Sequence, residues 1–269
     1  MATEAGLARL EAAFATAREQ GRAALMPYLM GGFPDQERAT AVAAAYADAG
    51  ADLIELGVPF SDPLADGPVI HAADTAALAA GATLESVLET CAGIGDQIPV
   101  ALMCYANMVL TAGAEEFSGM AADAGAAAVI VPDMPLEEQG EIGDALAGRG
   151  LALVPMVAPT TPPARRATIC AGARGFLYVV STRGVTGERQ GLPPELRELV
   201  AAVKEEASVP AAVGFGIATP EQAAEVGTIA DGVIIGSRLV REVADAPGRD
   251  AAVAGVTEFL RATRATLER

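Results

Sequence analysis

What most constrains this chain is a unit that recurs along it: an alanine-rich helical stretch, a turn of small residues, then a short apolar run rich in β-branched side chains. Its plainest copies are Ala49-Gly50-Ala51-Asp52-Leu53-Ile54-Glu55-Leu56 and Ala124-Gly125-Ala126-Ala127-Ala128-Val129-Ile130-Val131, with a weaker one at Ile229-Ala230-Asp231-Gly232-Val233-Ile234-Ile235. Glycine after a helix accepts the left-handed backbone that ends it, and a near-continuous apolar run suits a parallel strand covered on both faces. Eight such runs are predicted as strands, at about 24–29, 52–56, 98–103, 127–131, 152–157, 175–180, 210–214 and 231–235, each followed by a helical pattern. Eight parallel strands alternating with eight helices close most naturally into a (β/α)8 TIM barrel, whereas an open doubly wound sheet usually has fewer. The 269 residues suit that fold, no composition break divides them, and 1–269 is read as a single barrel domain. Ahead of the first strand, Leu7, Leu10 and Phe14 keep helical spacing, which predicts an additional N-terminal capping helix.

Composition narrows the chemistry. With 52% hydrophobic and 20% charged residues the chain can bury a core, which excludes disorder. Aspartate and glutamate total 35 against 18 lysines and arginines, a net charge of −17 without a basic stripe, so nucleic acid and anionic membranes are not expected partners. No stretch reaches the roughly 18 uncharged apolar residues of a membrane span, and the charged N-terminus does not resemble a secretory signal. Cys91, Cys104 and Cys170 are widely separated and lack zinc-ligand spacing; no metal is expected, and a reduced, cytoplasmic protein is. The lone lysine, Lys204, reads as the polar face of a helix end, which leaves imine chemistry almost nowhere to sit. The lone histidine, His71, opens a helix and reads as a capping or structural residue.

In such a barrel the chemistry belongs at the C-terminal ends of the strands. Two long connections follow strands there: Gly57 to Pro68 after the second, and Ser181 to Gly191 after the sixth, a glycine-rich stretch that reads as a lid. Glu55 sits among apolar neighbours at the end of the second strand and points to the barrel axis if Leu53 does. Burial there raises its pKa toward neutrality and makes it a candidate acid/base. Asp66 lies between Pro63 and Pro68, whose fixed φ angles restrain the loop; Asp62 reads as a turn or partner-facing residue. Gly214-Phe215-Gly216 and Gly236-Ser237, after strands seven and eight, read as a phosphate cradle of backbone N–H groups. Tyr28, Tyr105, Tyr178 and Phe215 fall at strand ends, where they either line a pocket for a flat apolar group or fill the core.

The run from Leu53 through Glu55-Leu56-Gly57-Val58-Pro59-Phe60-Ser61-Asp62-Pro63-Leu64-Ala65-Asp66 to Gly67-Pro68 resembles the signature of the tryptophan synthase α-subunit family. Supporting pieces are Gly32-Phe33-Pro34, Tyr105-Ala106-Asn107, Gly184-Val185-Thr186-Gly187, Gly214-Phe215-Gly216 and Gly236-Ser237. The resemblance implies cleavage of indole-3-glycerol phosphate to indole and glyceraldehyde 3-phosphate, with Glu55 as main acid/base and Asp66 as second carboxylate. It implies that Thr186 orients Asp66, that backbone N–H groups of Gly187, Gly216, Gly236 and Ser237 hold phosphate, and that Tyr28, Tyr105, Tyr178 and Phe215 surround the indole. It implies no cofactor in this chain, and a β-subunit partner carrying pyridoxal phosphate in an α2β2 heterotetramer. His71 stands where relatives commonly have glutamine, and Arg183 is one place later than in many. A ring-closing barrel enzyme with the same phosphate motif depends on a catalytic lysine, and a non-catalytic partner of a β-type subunit has no need of both carboxylates.

Overall fold

The structure, a computed structural model, describes residues 5–180, 192–214 and 216–268. Its strands are β1 (Ala24–Met30), β2 (Ile54–Gly57), β3 (Val100–Met103), β4 (Ala128–Ile130), β5 (Ala152–Val154), β6 (Met156–Val157), β7 (Leu177–Val180), β8 (Ala211–Gly214) and β9 (Gly232–Ile235). All pairings are parallel, in the order β5-β4-β3-β2-β1-β9-β8-β7-β6. The predicted fifth strand is thus two pieces. Pro155 has no N–H to give the ladder, so the run breaks there; β5 pairs with β4 and β6 with β7, while the Pro155 carbonyl accepts from Tyr178 N–H at 3.0 Å. Counted as one interrupted stave, β5 and β6 join the ends of the sheet and complete an eight-stave (β/α)8 barrel.

A helix follows every stave. Among the described residues single α-helices follow β1, β4 (after a 3-10 turn at Leu136–Glu138), β6, β7 and β8; two each follow β2 (Pro68–Ala79 and Leu84–Gly95), β3 (Ala106–Ala112 and Ala114–Asp123) and β9 (Ser237–Asp245 and Arg249–Leu267). Starts carry recognisable signals: Asp35 and Thr219 accept N–H bonds as N-caps, Thr83 and Ser86 form a reciprocal capping box, and Pro68 and Pro220 open helices. At the helix-to-strand turns Gly50 (φ 92°) and Gly125 (φ 77°) adopt the left-handed conformation expected of them. Among the described residues no single helix is long and apolar enough to cross a membrane.

Period-two alternation divides each strand between two cores. Leu25, Leu56, Leu102, Val129, Val213 and Val233 face outward into the layer shared with the helices. Ala24, Met26, Leu53, Ala101, Ala128, Ala152, Ala212 and Ile234 share a second cluster inside the barrel, so Leu53 does face inward. The N-terminal helix Ala5–Glu19 places Leu10 and Phe14 in that inner cluster, where the Phe14 ring lies 5.6 Å from Phe176. Small strand residues are what make room for this plug: a Cβ on Gly232 would meet Met26 Sδ at 2.7 Å and Phe14 at 3.0 Å.

The same end carries a buried ion pair. Arg22 grips Asp52 through two N–H donors at 2.6 and 2.7 Å, Leu25 N–H donates to Asp52 at 2.7 Å, and Arg264 approaches at 3.3 Å from the last helix. The Arg22 side chain is only 1% exposed, so losing its partner leaves a charge buried. Asp52→Ala is expected to cost about 3–5 kcal/mol in urea denaturation, the range for breaking a buried pair from one side; a loss below about 1 kcal/mol would mean that the pair contributes no more than an exposed one.

Candidate active site

Glu55 occupies the middle of β2, in register with Tyr28 of β1 and Ala101 of β3. Its neighbours Ile54 and Leu56 pack outward, so alternation turns Glu55 into the barrel, where it is 0% exposed. Among the described residues neither carboxyl oxygen has a hydrogen-bond partner. With nothing to stabilise the charged form, burial pushes its pKa up to about 8, so the resting side chain at neutral pH carries a proton.

Glu55 opens onto a cavity of about 180 Å³ at the C-terminal end of the barrel. Tyr28, Asp66, Tyr178, Gly216, Gly236 and Ser237 line it as well, with Ile70, Met103 and Ile234 as apolar wall. Tyr28 and Tyr178 are buried and fit because glycines face them. A Cβ on Gly57 would collide with the Tyr28 hydroxyl, and one on Gly214 would lie 2.7 Å from the Tyr178 hydroxyl. Gly216 has φ 52°, and Gly236 precedes the helix Ser237–Asp245, whose first N–H groups have no acceptor within the helix. This end of the cavity therefore offers anion-binding donors without a basic side chain.

Asp66 is half-buried in the connection after β2. Burial raises its pKa, opposed by a hydrogen bond from the Tyr105 hydroxyl (2.9 Å to Oδ2) and by the charge of nearby His71. Tyr105 also accepts from Ala65 N–H at 3.0 Å and stacks on Phe60, with ring centroids 5.1 Å apart. It therefore stands behind Asp66 and is not among the residues that line the cavity; the sequence left it open between pocket wall and core. His71 is exposed on the helix Pro68–Ala79 and does not cap it; the cap position is Gly67, without a side-chain bond. Asp62 is exposed at the tip of the connection. Thr186, Gly187, Phe215 and the 181–191 segment with Arg183 lie outside the described residues.

Sequence reasoning passed over Asp74, which is 1% exposed and accepts from Phe60 N–H at 3.0 Å. A signal was present: Ile70, Asp74 and Ala77 follow the helical period, so a carboxyl sits on the apolar face of its helix. Lys204 pairs with Asp231 at 2.7 Å, just before β9 and thus at the opposite end of the barrel from the cavity. Among the described residues no three histidine, cysteine, aspartate or glutamate side chains cluster closely enough to hold a metal ion.

A (β/α)8 barrel with a buried carboxyl of raised pKa and a second carboxyl on the same cavity at its strand ends has the architecture of a barrel enzyme. Comparison with known proteins gives the family. The model for "Tryptophan synthase alpha chain" matches residues 14–267. The tryptophan synthase alpha chain of Synechococcus sp. (strain CC9902) is 48% identical over 247 residues, covering 90% of this chain and 92% of that relative. That of Carboxydothermus hydrogenoformans is 47% identical, covering 87% and 88%. Among solved structures, Mycobacterium tuberculosis tryptophan synthase superposes with a TM-score of 0.89 at 35% identity, covering 97% of this chain and 98% of that one. The α2β2 tryptophan synthase complex of Pyrococcus furiosus gives 0.85 at 31% identity, covering 91% and 98%. The chain belongs to the tryptophan synthase alpha chain family.

The Glu55 environment has a consequence for stability. A carboxyl whose folded pKa lies above its unfolded value keeps its proton in the native state while the unfolded chain releases it, so folding loses stability as pH rises between the two values. Relative to Glu55→Gln, the parent is therefore expected to lose stability from about pH 4.5 to about pH 8 and to level off beyond, in paired urea titrations. A constant difference across that range would place the Glu55 proton at its ordinary affinity.

Proposed function

We propose that Glu55 is the acid/base and Asp66 the second carboxylate in the cleavage of indole-3-glycerol phosphate to indole and glyceraldehyde 3-phosphate, the lyase reaction of the tryptophan synthase α subunit. The observation that carries the assignment is Glu55 itself: buried and without a hydrogen-bond partner among the described residues, an environment that raises its pKa to about 8.

Breaking the carbon–carbon bond needs a place for its electrons, and the lone lysine is at the wrong end of the barrel for an imine. The indole ring can serve as the sink. Proton transfer from Glu55 to ring C3 gives an indolenine cation, whose positive charge at the ring N–H is steadied by the Asp66 side chain. Loss of the hydroxyl proton on the adjoining glycerol carbon then converts that carbon to an aldehyde, and the bond's electron pair neutralises the ring. Glu55 left ionised in an apolar pocket is a base of raised affinity in the same cavity, so it recovers a proton and ends as it began. Tyr28 and Tyr178 flank the flat ring, Tyr105 acts through its bond to Asp66, and N–H groups of Gly216, Gly236 and Ser237 hold the phosphate. Thr186, Gly187 and Phe215 complete the site by family resemblance.

The chain is read as one barrel domain over 1–269, working in the cytoplasm, and its free cysteines, all buried, suit a reducing compartment. Its partner is the β subunit, which carries the pyridoxal phosphate of the α2β2 heterotetramer; this chain has no cofactor of its own. Leu64 in the connection after β2 and Leu110 on the helix Ala106–Ala112 are 85% and 65% exposed, and with Asp62 they are the residues offered to that partner.

Glu55→Gln is expected to lower kcat for indole release by at least roughly 10³-fold while leaving the fold intact, and Asp66→Asn to impair it severely. A Glu55→Gln enzyme that released indole at near-parental rates would remove the acid/base assignment. In the parent, kcat/KM is expected to fall on the alkaline side near pH 8, where the free enzyme loses the Glu55 proton. A rate that stayed level through pH 9 would contradict the requirement for that proton.

A further inference from the structure

Asp74 has no part in the chemistry above, yet a carboxyl on the buried face of a helix is costly to keep there. It shares the buried face of its helix with Ile70, Ala73 and Ala77, and what it binds is not that helix. Oδ1 reaches across to the backbone N–H of Phe60, three residues after β2 ends, at 3.0 Å. Oδ2 is buried and has no partner among the described residues.

The bond falls at a telling place. The connection carrying Asp66 is held near its far end by Tyr105, whose hydroxyl accepts from Ala65 N–H and donates to Asp66. Its near end, at Phe60, is held by Asp74, and the Phe60 ring stacks on the same Tyr105 at an interplanar angle of 20°. Between these two points Ser61, Asp62 and Leu64 are exposed and Pro63 alone packs inward, so the ends carry most of what holds the connection. We propose that Asp74 is a positioning residue: its hydrogen bond to Phe60 N–H latches the near end of the connection, seats Phe60 against Tyr105, and through Tyr105 fixes the Asp66 carboxylate over the cavity.

An acceptor is what the latch requires, and the neutral and ionised carboxyl both present one. Burial lifts Asp74 to about 7, with the Phe60 bond lowering it and the Asp66 charge raising it, so the latch holds in either protonation state around neutrality. The proposal rests on the assignment of Asp66 given above, but the latch itself can be read without substrate.

The test uses the full chain with Asp74→Ala and Asp74→Asn, the second keeping an acceptor oxygen of similar reach. By amide hydrogen exchange, Phe60 N–H is expected to lose protection about tenfold or more in Asp74→Ala and to keep it in Asp74→Asn; unchanged exchange in Asp74→Ala overturns the latch whatever the enzyme's activity. In indole release, Asp74→Ala is expected to lower kcat roughly tenfold with KM within about twofold, and Asp74→Asn to recover most of it. In an Asp66→Asn background the same Asp74→Ala change is expected to alter kcat by less than about twofold, because a residue acting through Asp66 has nothing left to position. Equal losses in both backgrounds would show that Asp74 only supports the fold, and would overturn the proposal.

Discussion

The site depends on one deprivation. Glu55 is surrounded by apolar strand residues and receives no hydrogen bond among the described residues, so only a proton can relieve the cost of its burial. That condition distinguishes it from Asp66, which is less buried and receives a donor from Tyr105. Burial raises the pKa of both carboxyls, but at Asp66 the hydrogen bond from Tyr105 opposes the rise, so the two sit in unequal environments. Gly216, Gly236 and Ser237 line the same cavity, and backbone N–H groups there are the proposed means by which a protein of net charge −17 takes an anionic substrate.

Stability and chemistry are kept at opposite ends of the barrel. The end that precedes the strands is filled by Phe14, Phe176 and Met26 and tied by the Arg22–Asp52 pair with Arg264. Alanine and glycine on the inner strand faces leave space for that plug. The other end substitutes a cavity for part of the packing and places a buried acid there, a cost that the filled end offsets. The lone lysine and its partner Asp231 belong to the filled end, away from the cavity.

Much of this was legible beforehand, and for identifiable reasons. The strands follow from apolar runs after glycine turns, and Glu55 stands out because, unlike Asp52 and Asp231 at the starts of their runs, it has apolar residues on both sides. Local pattern says less about what crosses between elements. Tyr105 looks like a pocket aromatic from its position after β3; only the packing of two connections reveals that it turns back to Asp66. The break in the fifth strand had a signal in Pro155, which cannot donate to a ladder, but apolar continuity on both sides obscured it. Asp74 was visible as an acid on an apolar helix face, and its target, the backbone of Phe60, was not, because a backbone N–H leaves no trace in sequence.

The most direct measurement is the protonation of Glu55 itself, by carboxyl-region infrared or ¹³C side-chain NMR titration of the parent against Glu55→Gln. The account predicts one carboxyl signal, missing from the variant, that keeps its proton through neutrality and loses it near pH 8. A Glu55 signal that titrates near pH 4.5, the ordinary range for a solvated glutamate, would contradict it.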